Sequence, residues 1–175
     1  MRILVTGGVR SGKSTHAEGL IGDEPATYVA AGPTPDAEAD PDWTARVAAH
    51  KARRPAAWDT VETQDLAAAL AQPGHPVLID CLGTWLTAVI DAAGAWDDDS
   101  DRVHDLVLAR TDELTAGLRA CEHDVVLVTN EVGLGVVPEH RSGRLFRDLL
   151  GTVNQRVAAA CDEVHLVVAG RVLRL

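Results

Sequence analysis

A chain of 175 residues with 46% hydrophobic content is long enough for one self-sufficient core, since a domain of about 150 residues hides roughly 70% of its unfolded surface, and a single domain over residues 1–175 is expected. A formal charge of −10 excludes a general nucleic-acid binder, because no net positive field draws phosphate backbones; any phosphate site is local. Aromatic residues at 3% imply a core of Val, Leu, Ile and Ala, while Cys81, Cys121 and Cys161, odd in number and without a C-x-x-C pair, read as small apolar residues in a reducing compartment rather than a disulfide or zinc framework.

In chain order, the first element is a strand at Ile3-Leu4-Val5, followed by Gly7-Gly8-Val9-Arg10-Ser11-Gly12-Lys13-Ser14 and a helix near 13–22. The eight residues satisfy G-x-x-x-x-G-K-[ST] between a strand and a helix, the context that makes the pattern a phosphate-binding loop. Glycines let backbone N–H groups approach a polyphosphate, the helix amino end adds a favourable dipole, Lys13 brings a mobile positive charge and Ser14 offers a hydroxyl to Mg²⁺. A strand at 27–30 comes next, then a loop from Gly32 to Asp40 rich in proline, and a helix over 41–54. Helical spacing recurs near 64–71, 83–93, 101–121 and 141–161, interleaved with apolar runs at 77–80, 125–128 and 164–168 that read as buried parallel strands.

Asp97-Asp98-Asp99 reads as a solvated loop or helix start, with Ser100 and Asp101 as caps. In the helix over 141–161, Leu145, Leu149, Val153 and Val157 form one stripe, suited to a core or an oligomer seam, and Arg171–Leu175 alternates like an edge strand turned back at Gly170. Strands alternating with helices predict an open α/β sheet with right-handed crossovers. No apolar stretch approaches the roughly 18 residues of a membrane span and no leader-like segment precedes the first strand, so a soluble, cytoplasmic protein is expected.

Two places beyond the loop carry candidate chemistry. Asp80 ends an apolar strand, where a carboxylate serves either Mg²⁺ opposite the loop Ser or the cap of the following helix. If residues 44–55 are helical, Arg46, His50 and Arg53 or Arg54 share one face. Crowded cations disfavour imidazolium and would hold the His50 ring neutral and nucleophilic; a basic helix with an incidental histidine is the alternative.

The loop GGVRSGKS, the stretch Arg46-x-x-x-His50-Lys51-x-x-Arg54-Pro55, and Asn130-Glu131-Val132-Gly133-x-Gly135-x-Val137-Pro138 followed by Phe146-Arg147-Asp148 and Asn154-Gln155 together resemble the bifunctional adenosylcobinamide kinase/adenosylcobinamide-phosphate guanylyltransferase family of cobalamin biosynthesis. The resemblance spans nearly the whole chain. It implies a single-domain P-loop NTPase fold of the RecA-like kind, with a mostly parallel central sheet flanked by helices. It further implies phosphorylation of adenosylcobinamide by a nucleoside triphosphate, ATP or GTP, then transfer of GMP from GTP through a guanylylated histidine matched by His50, with Lys13 as its catalytic companion. Nucleotide-binding positions carry over onto Gly7, Gly8, Val9, Arg10, Ser11, Gly12, Lys13 and Ser14, onto Ala31, Gly32 and Pro33, onto Lys51, Ala52, Arg53 and Arg54, and onto Glu62 and Asp80, with Ser14 and Asp80 on the metal side. Glu62 suits guanine because a carboxylate accepts from the N1–H and 2-amino edge that adenine lacks; the alternative is a solvent-facing strand residue.

A homotrimer is implied by the same resemblance. The segment Ala30-Ala31-Gly32-Pro33 lacks the hydroxyl residues expected there, which favours backbone contacts, and Ala49 stands where some relatives carry a second histidine. The run 130–138 is assigned to the corrinoid side or a subunit contact, with Asn130 and Glu131 capping the loop as the alternative. The rival readings are a single-activity small-molecule kinase and a GTP-dependent switch, the latter without an N-K-x-D guanine-reading motif.

Overall fold

In the computed structural model, residues 1–33, 40–71 and 74–175 are described, except for the side chains of Trp43 and Arg46. Most of the proline-containing loop expected at 32–40, and the Arg46 member of the basic face, therefore lie outside the described residues. The elements run β1 (Arg2–Gly7), α1 (Lys13–Ile21), β2 (Ala26–Ala30), α2 (Pro41–Arg53), β3 (Trp58–Glu62), α3 (Leu66–Ala71), β4 (Val77–Asp80), α4 (Leu82–Ala93), α5 (Ser100–Ala120), β5 (Val125–Val128), α6 (Arg141–Ala158), β6 (Glu163–Val168) and β7 (Arg171–Arg174). The strands form one seven-stranded sheet in the order β3-β2-β4-β5-β1-β6-β7, parallel except for β7, which pairs antiparallel with β6.

The apolar runs become strands because both of their faces are covered. Along β1, β4 and β5 neighbouring side chains enter two different cores: Leu4, Val77, Ile79, Val125 and Leu127 meet the helices α3 to α6, whereas Ile3, Val5, Leu78, Val126 and Val128 meet α1 through Ala17, Leu20 and Ile21. Burying each such side chain contributes about 1.5–3 kcal/mol. The α6 stripe Leu145, Leu149, Val153 and Val157 belongs to the first core rather than to a seam between copies. Trp85, 1% exposed, is the largest fully buried side chain, an exception to the aliphatic core expected from composition. Its indole N–H donates to the Gln64 carbonyl at 3.0 Å, which removes the cost of burying that donor.

One strand was not visible in the hydrophobic pattern. β3 reads Trp58-Asp59-Thr60-Val61-Glu62 and buries only its tryptophan. It lies at the sheet edge, where one face and one flank meet water, so polar residues are tolerated and the period-2 apolar signal vanishes. The tail does form the expected edge strand, with the chain turned at Ala169 and Gly170, both at positive φ. The acidic triplet opens α5, but the cap is Asp99, whose carboxylate accepts from the Asp101 backbone N–H at 3.0 Å, rather than Ser100 or Asp101.

Candidate active site

The parallel register sets one row of residues across the carboxyl ends of the strands. Glu62 on β3 faces Ala30 on β2, Ala30 faces Asp80 on β4, and Asp80 faces Val128 on β5. Side chains alternate across a sheet, so Glu62, Ala30 and Asp80 rise from the face that also carries Tyr28, Thr60 and Leu78 one row deeper. Two carboxylates thus flank a methyl group, and the small Ala30 leaves open space between them. Neighbouring strands lie about 4.8 Å apart, which puts the two carboxylate-bearing backbones roughly 10 Å from each other. A cleft of about 840 Å³, counting its open mouth, fills this space.

At one end of the cleft stand Lys13 and Ser14, where the phosphate loop passes into α1. The loop is held at both shoulders: the Glu131 N–H donates to the Gly7 carbonyl at 3.1 Å, and the Gly170 N–H to the Ser11 carbonyl at 2.8 Å. Gly7 is required by close approach, since a Cβ there would sit 2.4 Å from the Val167 carbonyl oxygen. Gly12 is required by conformation, with φ at +97°. Around Gly8, by contrast, nothing lies within 4 Å of where a side chain would begin, which leaves room for a ligand. Lys13 is 6% exposed and its ammonium donates to the Gly8 carbonyl at 3.2 Å, folded back over the loop it serves. The first turn of α1 carries no acidic side chain, so its positive dipole end is not offset locally.

Helix α2 crosses above the same face of the sheet and brings His50, Lys51 and Arg54 to the cleft. Polar contacts with its neighbours fix its position: Lys51 pairs with Glu62 at 3.1 Å, Arg53 with Glu18 of α1 at 3.1 Å, and Arg54 donates to the Thr60 hydroxyl at 3.0 Å while its guanidinium lies 3.3 Å from the centre of the Tyr28 ring. A second cleft opens on the other side of His50, walled by Arg10, Ser11, Gly12 and Arg53 and sharing Lys13 and Ser14 with the first. His50 therefore stands where the two clefts meet.

Among the described side chains, Lys51, Arg53 and Arg54 are engaged with Glu62, Glu18, Thr60 and Tyr28, and a carboxylate faces His50, a neighbour the reading of crowded cations did not include: Nδ1 lies 3.7 Å from Asp80 Oδ2. The helix-cap alternative for Asp80 falls, because the cap of α4 is Cys81. Burial, followed by the Asp80 carboxylate, pushes the Tyr28 phenol well above its ordinary range, and the same order of causes raises the Cys81 thiol.

Of the sequence-derived nucleotide positions, Lys13, Ser14, Gly32, Pro33, Lys51, Arg54, Glu62 and Asp80 line the first cleft, and Arg10, Ser11, Gly12 and Arg53 the second. Gly7, Gly8, Val9, Ala31 and Ala52 line neither; Ala31 is fully buried beneath the strand end and Val9 is 71% exposed. Glu62 is not merely solvent-facing, since it lines the cleft and pairs with Lys51. Sequence reasoning missed Tyr28, Ala30, Val47, Cys81 and Thr84, which also line it. Tyr28 and Ala30 share the strand parity of Asp80 and Glu62, a signal that becomes readable only once the register is known. Asn130 completes the wall, and its backbone carbonyl accepts from Asn154 at 3.1 Å, tying the loop 130–138 to α6.

A histidine pair also escaped the sequence. His165 of β6 is 0% exposed, bonded to His16 of α1 at 2.9 Å and to Glu163 at 2.9 Å, so two imidazoles and a carboxylate join the phosphate-loop helix to the sheet.

The family described as cobinamide kinase / cobinamide phosphate guanyltransferase matches residues 3–175. The chain is 45% identical to the bifunctional adenosylcobalamin biosynthesis protein CobU of Salmonella typhimurium, with 97% of each chain covered, and 44% identical to that of Escherichia coli, again over 97% of each. It is 38% identical to the bifunctional adenosylcobalamin biosynthesis protein CobP of Pseudomonas aeruginosa, over 97% of this chain and 94% of that one. Among solved structures it is similar to the P4 protein of bacteriophage phi13, at 17% identity and a TM-score of 0.46, covering 98% of this chain and 53% of that one, so the chain spans about half the length of the phage protein. Identity of this order along nearly the entire length, joined to a phosphate loop and a histidine in one cleft, makes the chain a member of the cobinamide kinase / cobinamide phosphate guanyltransferase family.

Proposed function

We infer that the chain performs both reactions of its family: it phosphorylates adenosylcobinamide with a nucleoside triphosphate, then transfers GMP from GTP to adenosylcobinamide phosphate through a guanylylated His50, giving adenosylcobinamide-GDP. The observation that carries this reading is the position of His50 at the junction of two clefts that share Lys13 and Ser14. A triphosphate on the loop then runs past the imidazole. In the guanylyl step the ring attacks the α-phosphorus, while the loop N–H groups and Lys13 stabilise the departing pyrophosphate. Glu62, at the far carboxylate of the row, is suited to the N1–H and 2-amino edge of guanine, with Lys51 holding it in place.

In the kinase step the same Lys13 neutralises charge on the transferred phosphoryl group. Mg²⁺ fits the oxygen set: Ser14 and Asp80 line one cleft, and two protein ligands suffice for an ion held mainly by phosphates and water. When bound it supplies further charge neutralisation along the phosphate chain. A cytoplasmic homotrimer completes the reading. It agrees with the outward-facing Leu134, 88% exposed, and Val136, 95% exposed, on a loop anchored by Arg147 to the Gly133 carbonyl, and with the fact that no helix among the described residues is long and apolar enough to cross a membrane.

The test is incubation with GTP labelled at the α-phosphate. Acid-labile, base-stable label on the protein, lost in His50→Ala while cobinamide phosphorylation continues, is the expected result. A chain that phosphorylates cobinamide yet takes up no label is a single-activity kinase.

A further inference from the structure

Asp80 is held in a way that metal binding alone does not explain. It closes β4 on the helix-α2 side of the sheet, its side chain is 10% exposed, and its Oδ2 is buried with no hydrogen-bond donor while facing His50 Nδ1 at 3.7 Å. That separation is too long for a hydrogen bond, which ends near 3.2 Å for N–H to O; catalytic contacts are often loose before substrate binds and tighten with it. Tyr28, 3% exposed and one row deeper on the same face, turns its hydroxyl to the Asp80 carboxylate, and Arg54 lies over its ring. Among the described side chains, the basic neighbours have partners of their own: Arg53 pairs with Glu18, Lys51 with Glu62, and Arg54 donates to Thr60. One ring nitrogen of the imidazole, Nδ1, is thus turned to an anion.

We propose that Asp80 is the positioning residue for His50: it accepts the Nδ1–H, fixes the tautomer that places the lone pair on Nε2, and is itself kept in place by the Tyr28 hydroxyl. The proposal rests on the reading of His50 as the nucleophile. The Nε2 lone pair forms the bond to the α-phosphorus as the bond from that phosphorus to the bridging oxygen breaks, and pyrophosphate leaves with the bond electrons. The ring, still protonated at Nδ1, carries the positive charge opposite Asp80. When an oxygen of cobinamide phosphate attacks the same phosphorus, the N–P electrons return to Nε2 and the ring is again neutral with its proton at Nδ1. A carboxylate has about four lone-pair sites, so serving the imidazole with one oxygen does not prevent it from serving a nucleotide-bound cation with the other.

The experiment follows GMP uptake from GTP in the full chain, maps the modified ring nitrogen by phosphorus and nitrogen NMR of the isolated peptide, and repeats the kinetics in Asp80→Asn and Tyr28→Phe. The expected results are modification at Nε2 and a loss of roughly 10²- to 10⁴-fold in the guanylylation rate at saturating GTP in Asp80→Asn, with little change in the half-saturating GTP concentration and no recovery at raised Mg²⁺ or Mn²⁺. Tyr28→Phe loses roughly 10-fold in the same rate constant, and adduct formation suffers more than phosphorylation. Modification at Nδ1 overturns the proposal, as does an Asp80→Asn defect that added metal repairs or that is equal in both reactions. If Asp80→Asn fails to fold, the ring-nitrogen assignment in the wild-type chain and an unchanged rate in Tyr28→Phe still overturn it. A wild-type chain that takes up no GMP defeats the nucleophile reading itself, a result distinct from an adduct on the wrong nitrogen.

Discussion

The phosphate loop and helix α2 border the same two clefts and are held in place by opposite means. The loop follows β1, an interior strand of the sheet, is pinned by backbone bonds from Glu131 and Gly170, and offers mainly peptide N–H groups and a lysine that folds over it. Helix α2 lies at the periphery, touches the sheet through ion pairs and a stacked arginine, and offers side chains: His50, Lys51 and Arg54. Backbone donors fixed to a core recognise any triphosphate. In the proposed reading, His50 on the outer helix makes the covalent bond, and Lys51 holds Glu62 of β3, which distinguishes the base. Damage to the first region therefore touches both reactions and the fold, and damage to the second touches one reaction and leaves stability nearly unchanged.

Four substitutions sharpen that contrast. Lys13→Ala is expected to lower both phosphorylation and guanylylation by about 10³-fold, because it removes charge from the phosphates common to both steps; steady-state assays of the two half-reactions check this, and the contrast breaks if only one falls. Leu127→Ala, at a side chain that is 0% exposed in the core on the α3–α6 face of the sheet, is expected to cost about 2–5 kcal/mol in urea unfolding. Glu62→Gln is expected to reduce the preference for GTP over ATP in adduct formation by roughly 10- to 100-fold. Its partner Lys51 is half-exposed, so the unfolding free energy should change by less than about 1 kcal/mol.

The smallest effect concerns the seam under the loop. Burial, then His165 and Arg174, lower the His16 pKa from 6.5, and Glu163 lies beyond His165. The unfolded chain then binds more protons than the folded one, so stability is fully present above pH 6.5 and declines as pH falls below it. Thermal midpoints between pH 8 and pH 5 are expected to fall on acidification, and less steeply in His16→Gln.

The same contrast explains what the sequence made legible. β1, β4 and β5 announce themselves as apolar runs because both faces are covered, and the loop announces itself because only glycine satisfies the approach of Gly7 to Val167 and the φ of Gly12. Helix α2 was legible as a helix, yet the partners of its cations were not: Glu18, Thr60 and Glu62 arrive from other elements. β3 was hidden by its polar edge position. Tyr28 and Ala30 look like ordinary strand residues until the register places Ala30 between Glu62 and Asp80. Residues that act through long-range pairing leave no local periodicity to read.

The central claim is that His50 carries GMP between its donor and its acceptor. The most direct measurement isolates the chain after exposure to GTP, removes all free nucleotide, and adds adenosylcobinamide phosphate alone. The account predicts that the guanylyl group leaves His50 and appears in adenosylcobinamide-GDP in equal amount. A group that stays on the protein, or a product that forms only when fresh GTP is supplied, would contradict it.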